Sequence, residues 1–304
     1  MSPASRRRRQ CGAMQEYERL LEEEPSFRAG QQRAEDLSTR AVASGEADRV
    51  ARKVIRIPTV VHVVHRTARE NISKSQINSQ ITALNRDLRA KNPDVTKVPA
   101  AWKGLVIDSK VEFALATRDP NGKATDGVTR TKTERRQFGV GDDVKTKAAG
   151  GAPPWPATKY LNVWVANLGG GLLGYAQFPG GPARTDGVVI LHSAFGTRGT
   201  AQAPFDKGRT TTHEVGHWLN LRHIWGDTMD CSGGDRCPDT PNAEGPNYGS
   251  PSFPQVSCQN GPNGDMFMNY MDYVDDAAMF MFTAGQVTRM NATLAGPRKQ
   301  LAKL

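Results

Sequence analysis

The stretch Thr212-His213-Glu214-Val215-Gly216-His217-Trp218-Leu219-Asn220-Leu221-Arg222-His223 holds three of the chain's six histidines. On an α-helix, His213 and His217 stand about 40° apart around the axis and ~6 Å apart along it, so both imidazoles point one way and can share an ion. His223 follows six residues after His217, and a straight helix would carry it up to ~9 Å further along the axis. The chain must turn back for His223 to become a third ligand. Such a turn needs a residue that tolerates a left-handed backbone, normally Gly, with Asn next because its short polar side chain bonds locally. Asn220 stands where that turn is required.

Three neutral imidazoles suit zinc and leave a fourth tetrahedral position for water, the arrangement of a catalytic rather than a structural site. Glu214 is placed to accept a proton from that water as it attacks a carbonyl and to hand it to the leaving amine. The expectation is hydrolysis without a covalent intermediate, with His213, His217 and His223 on zinc and Glu214 as general base and acid.

Upstream of this helix the pattern is α/β. Arg56 to His65, RIPTVVHVVH, is a run of β-branched residues typical of a buried strand. His62 and His65 stand three apart on it, on opposite faces, and read as structural. Ser73 opens a helix with Gln76 in capping-box register, and Ile77, Ile81, Leu84 and Leu88 form its apolar face. Strands are expected at Val111 to Leu115, Leu161 to Val165 and DGVVILHS, with a turn at Asp119-Pro120-Asn121-Gly122. The glycines Gly169 to Gly171 read as a loop between strands, since no Lys-Ser/Thr follows to make a phosphate loop. No internal repeat is present.

Residues 12 to 48 carry charge and helix formers, with Pro25 dividing two short helical patches. A boundary falls near residues 48 to 54, with a helical prosegment before it. At 304 residues the chain can bury a real core, and a hydrophobic share of 38% with 23% charged residues excludes a fibre or a disordered chain. The net charge of +9 owes part to the run Arg6 to Arg9, which reads as a solvated, disordered tail. No reader motif accompanies it, so nucleic-acid binding is not expected. No stretch approaches the ~18 apolar residues a membrane helix needs, and no apolar region follows the basic start as a signal peptide requires. Of four cysteines, Cys11 stands alone while Cys231, Cys237 and Cys258 share one loop-rich stretch without a CxxC pair. A disulfide there is expected, which favours an oxidising compartment.

HEVGHWLNLRHIWGD, together with MFMNYMDYVDDAAMFMFTAGQVTRM, resembles the metzincin clan and within it the pappalysin/cytophagalysin family of zinc endopeptidases. The similarity runs from about Ile57 to Met290. It implies a two-subdomain catalytic domain in which a twisted, mostly parallel sheet and the active-site helix sit above a loop-rich C-terminal subdomain. The expected division is 1–53 for the basic tail and prosegment and 54–304 for the catalytic domain, split near residue 220.

The resemblance also implies roles. Met271 matches the methionine of the turn beneath the zinc, and Tyr273 a tyrosine that coordinates zinc or steadies the tetrahedral intermediate. LGYAQFPGG, around Gly174 to Gly181, is similar to the upper rim of the cleft, where an edge strand takes substrate by strand addition. Cys11 lies where related zymogens use a cysteine to block zinc, with removal of the prosegment near Arg52 to Arg56 as activation. Cys231 and Cys258 match a family disulfide. A second bridge is lost, since Ser250 and Ala278 stand at its positions, leaving Cys237 unpaired or as a rival partner for Cys231. Asp227, Asp230, Asp235 and Asp239 suggest calcium, and Asp275 and Asp276 a specificity pocket for a basic side chain.

The expected protein is a secreted, monomeric zinc endopeptidase made as a zymogen and acting on polypeptides, with no nucleic-acid or membrane partner. The rival readings are an inactive zinc-binding relative that docks proteins, against which Glu214 argues, and a basic nucleic-acid-binding protein.

Overall fold

β1 (Ile55–His65) is bordered by strands on both sides, which explains its nearly continuous burial and its β-branched composition. The structure, a computed structural model, describes residues 8–303. One edge of β1 is shared in succession by β2 (Val111–Leu115) and β3 (Val128–Lys132), both parallel to it. The other edge pairs with β4 (Leu161–Ala166), which pairs in turn with β6 (Val188–Leu191). β5 (Gly174–Ala176) runs antiparallel to β6 and closes the order β2-β1-β4-β6-β5. The sheet is therefore mostly parallel, with one antiparallel strand at the edge. β3 escaped the sequence reading because its residues, Val-Thr-Arg-Thr-Lys, are largely polar and nowhere fully buried.

α4 (Lys74–Leu88) packs on β2 through Ile77, Leu84 and Leu88. Its cap differs from the expected reciprocal box. Ser73 Oγ accepts from the Gln76 amide, but the Gln76 side chain turns away to the carbonyls of His192 and Phe195. His62 is structural as expected, its ring nitrogens meeting Thr129 Oγ1 at 2.8 Å and Asn162 Oδ1 at 3.0 Å.

α5 (Arg209–Trp218) lies against β5, β6 and α4 and is buried along its whole length. Beyond Asn220 regular structure is sparse: β7 (Tyr248–Gly249) pairs with β8 (Tyr273–Val274), and α6 (Ala284–Ala295) follows under a complete capping box of Thr283 and Gln286. One apolar core runs from the sheet through Trp218 to the methionine- and phenylalanine-rich segment 266–282. A disulfide joins Cys231 to Cys258, leaving Cys237 buried and unpaired.

The N-terminal segment forms α1 (Ala13–Glu23), α2 (Phe27–Ala43) and α3 (Glu46–Val50), with Pro25 between the first two. α2 and α3 rest on α6 through Ala41, Ala47 and Ala292. At Gly30, α2 crosses the loop after β5 so closely that a Cβ would strike the carbonyl of Gly180, and Gly180 itself has φ +96°. No helix among the described residues is long and apolar enough to cross a membrane. Arg6 and Arg7 of the basic run lie outside the described residues.

Candidate active site

α5 ends in a Schellman motif. The Leu221 amide bonds the Gly216 carbonyl at 2.9 Å, the Asn220 amide bonds that of His217 at 2.8 Å, and Asn220 has φ +75°. That left-handed turn brings His223 back beside the two helical histidines. Nε2 of His217 stands 3.2 Å from Nε2 of His213 and 3.1 Å from that of His223.

Each Nδ1 meets an acceptor: His213 the Tyr270 carbonyl at 2.7 Å, His217 the Leu221 carbonyl at 2.8 Å, and His223 an Asp227 carboxylate oxygen at 2.5 Å. The Nδ1 atoms therefore carry the protons, and three bare Nε2 lone pairs face one another. Burial first, then the neighbouring imidazoles, holds His213 and His217 well below the usual histidine range. Neutral rings with converging lone pairs cannot satisfy each other, whereas a cation satisfies all three. Ligands ~2.0–2.1 Å from one tetrahedral zinc stand roughly 3.3 Å apart, close to the spacing found. The donor set fits zinc.

The fourth quadrant is occupied by Cys11, whose sulfur and the three imidazoles lie within 4.8 Å of one another. No comparable gathering of His, Cys, Asp or Glu occurs elsewhere among the described residues. Its thiol donates to Glu214 Oε2 at 3.4 Å. Burial pushes Glu214 up to about 8, against the Cys11 hydrogen bond and the charge of Arg9. Gly174 is bare where a Cβ would press on the Glu214 side chain.

Met271 lies beneath the helix, its sulfur in the space a side chain at Gly216 would need. The Tyr273 ring stands 4.9 Å from that of His223, and its hydroxyl donates to the Cys11 carbonyl at 3.4 Å. Trp225, which the sequence did not single out, stacks on His223 at 4.4 Å with 7° between the planes. Asp227, named for calcium from the sequence, is the hydrogen-bond partner of His223. The other three acidic residues have partners of their own: Asp230 bonds Ser232, Asp235 bonds Thr240, and Asp239 bonds Thr283 and Gly285.

The tail reading of the basic run fails at Arg9, which is 1% exposed. Its guanidinium meets Asp276 Oδ1 at 2.7 Å, Thr210 Oγ1 at 3.1 Å and the Val274 carbonyl at 3.2 Å, above the ring of Phe205. Asp276 is fully buried, its other oxygen taking the amides of Lys207 and Arg209. The nearby Arg209 guanidinium is paired with Asp94, so Arg9 is the cation that answers Asp276. Asp275 turns elsewhere, toward Ser250. Of the two expected pocket carboxylates, only Asp276 holds a base.

Between Arg9 and α1 the segment runs parallel to the edge strand. The Leu173 amide bonds the Gln10 carbonyl at 3.0 Å, and the Gly12 amide bonds that of Gly174 at 2.9 Å. The rim therefore does accept an extended chain by strand addition, here the chain's own.

A family model named Peptidase_M43 and described as Pregnancy-associated plasma protein-A matches residues 145–295. Extracellular metalloprotease 1 of Coccidioides posadasii is 43% identical over 139 residues, which span 43% of this chain and 48% of that relative, about half its length. An extracellular metalloprotease of Arthroderma benhamiae is 30% identical over 78% of this chain and 76% of its own. Among solved structures, a point mutant of Tannerella forsythia promirolysin is 46% identical, covers 97% of both chains and superposes with a TM-score of 0.86. Mature mirolysin in complex with a cleaved peptide is 52% identical over 82% of this chain and 96% of its own, with a TM-score of 0.80.

Proposed function

The chain belongs to the pappalysin (Peptidase_M43) family of zinc metalloproteases, and on that footing we propose that it is a latent endopeptidase that cuts polypeptides beside a basic residue. The observation that carries this is the convergence of three bare imidazole nitrogens beside Glu214. His213, His217 and His223 would hold the zinc. A zinc ion held by these three imidazoles would supply Lewis acidity toward a carbonyl oxygen and a lowered pKa for water. Glu214, beside the converging imidazoles, takes the proton of the attacking water and passes it to the departing amine once the N-terminal segment has left. Tyr273, whose hydroxyl already donates to a main-chain carbonyl in the cleft, donates to the developing oxyanion. Asp276 receives the arginine or lysine side chain of the substrate, as it receives Arg9 here.

Residues 1–53 act as the prosegment, with Cys11 as the ligand that blocks the zinc. Mature mirolysin matches 82% of this chain, the share that residues 54–304 represent. Activation then follows cutting near Arg52 to Arg56, and the active unit comprises an upper part to residue 220 and a lower part from 221. The names of the relatives favour action outside the cell on polypeptides, and the active unit of this reading is a monomer. Zinc is sufficient for this chemistry, and calcium in the acidic loop around Asp230, Asp235 and Asp239 is the second metal of this reading.

The test is digestion of a denatured protein by the activated chain, with and without chelator, beside Glu214→Ala, with the cuts mapped by mass spectrometry. Chelator-sensitive cuts next to Arg or Lys that the variant does not make are expected. Equal cleavage by Glu214→Ala would overturn the mechanism.

A further inference from the structure

Phe178 lies four residues past Gly174, in the loop that continues the rim beyond the end of β5 at Ala176, and is nevertheless 2% exposed. Its ring meets that of the metal-site residue His217 at 5.3 Å, the edge of Tyr17 at 5.6 Å and the guanidinium of Arg222 at 5.9 Å. Arg222 also lies 5.5 Å from the Tyr17 ring, and Phe27 packs on Tyr17 at 5.4 Å. Tyr17 and Phe27 belong to the prosegment, whereas Phe178, Arg222 and His217 remain when it leaves. The cover of Phe178 is thus removable, and what it covers is a slot with an aromatic wall and a cationic wall.

The position of the slot follows from the path of the segment. Arg9 fills the Asp276 pocket, Cys11 reaches the metal cluster and Tyr17 reaches Phe178, while Gln10 and Gly12 pair with the rim between them. The slot therefore lies on the other side of the catalytic centre from Asp276. β5 ends at Ala176, so Gly174 to Phe178 spans at most roughly 13 Å, the length of four residues at the strand rise. A substrate paired with that rim advances in step with it, by about four residues.

We propose that Phe178 and Arg222 form a second recognition site, which takes an aromatic side chain of the substrate about four residues from the scissile bond, across it from the basic residue. This rests on the endopeptidase reading above. The chemistry is that of Tyr17: an edge-to-face contact with Phe178 and a π face toward the guanidinium of Arg222, both of which an aliphatic side chain forgoes. Together these favour the aromatic residue by roughly tenfold in kcat/KM.

The experiment compares two peptides with the activated enzyme. They share one scissile bond and its neighbouring arginine and differ only in Tyr or Leu at the fourth position across the bond. The wild-type protein should cut the Tyr peptide about tenfold better, and Phe178→Ala and Arg222→Gln should each bring the ratio toward one. Because both peptides are measured on the same preparation, the ratio does not depend on how much variant folds. A wild-type ratio near one, or an unchanged ratio in both variants, overturns the proposal while leaving the endopeptidase reading intact. Failure to cut either peptide beside its arginine overturns the endopeptidase reading and this one with it.

Discussion

Glu35 of α2 accepts a hydrogen bond from Asn220, the residue at which the metal-binding chain turns back, at 3.1 Å. The same carboxylate oxygen takes Arg289 at 2.6 Å and Arg236 at 2.8 Å, and Arg289 Nε bonds the Asn220 carbonyl at 2.6 Å. Asparagine at this turn thus supplies more than backbone tolerance: its side chain ties α2, part of the proposed prosegment, to the turn that returns His223. Glu35→Ala should activate faster than the parent, by about fivefold for a charge-assisted bond discounted to ~1 kcal/mol by partial exposure. The activated enzymes, which lack residue 35, should be indistinguishable. Timed gels of prosegment loss beside a peptide assay read both.

Acid should loosen the same tie. Burial raises the Glu35 carboxyl, but Arg289, Arg236 and the hydrogen bonds outweigh it and leave it below the ordinary glutamate range. A depressed folded value means the stabilisation is fully present above the unfolded value of about 4.3 and is lost as pH falls through the folded value. Accessibility of the segment to an added acid protease should therefore rise below about pH 4 in the parent. In Glu35→Gln that component of the rise should be missing; an identical acid rise in both proteins would sink the idea.

Arg9 and Asp276 form a buried pair, and breaking such a pair from one side costs about 3–5 kcal/mol. Arg9→Ala should leave a zymogen that leaks activity before processing. Asp276→Asn, assayed after activation, should lose its preference for arginine over an isosteric neutral side chain chiefly through KM. Progress curves on matched peptides check this, and an unaltered preference would remove Asp276 from its assigned role.

Cys11→Ser should yield full-length protein with partial activity. The sulfur no longer competes for the metal, but Arg9 and the rim pairing still fill the cleft. Complete latency in that variant would show that the thiol is dispensable.

Asp227→Ala leaves the His223 Nδ1 proton without its acceptor. Loss of such a partner typically weakens metal affinity about 10–100-fold. Competition with a chromogenic chelator should detect the shift, while the circular dichroism of the metal-loaded variant stays that of the parent.

The site was largely legible in the sequence because its geometry is local. His213 and His217 are brought together by helical periodicity alone, and Asn220 announces the turn that returns His223. Met271 and Tyr273 came from resemblance, since no spacing rule spans the intervening loop. What stayed hidden depends on partners distant in sequence. Arg9 looks like any basic tail residue until Asp276, 267 residues away, meets it in a buried pocket. Gln76 matched a capping box but answered carbonyls more than a hundred residues downstream. Trp225 and Asp227 flank His223 only because the chain after the turn folds against the ring. In the fold, the strands with continuous apolar runs declared themselves and the polar β3 did not.

The crossing of Gly30 over Gly180 sets a direction on how this molecule can change. The fit there consists of missing atoms, and every substitution at either position adds some. Mutation at that crossing can therefore relax the seating of α2 on the loop after β5 but has no means of tightening it. On the proposed zymogen reading, a lineage or a laboratory library exploring those two positions is on a one-way slope from latent toward constitutive protease, and any return must be made by changes elsewhere.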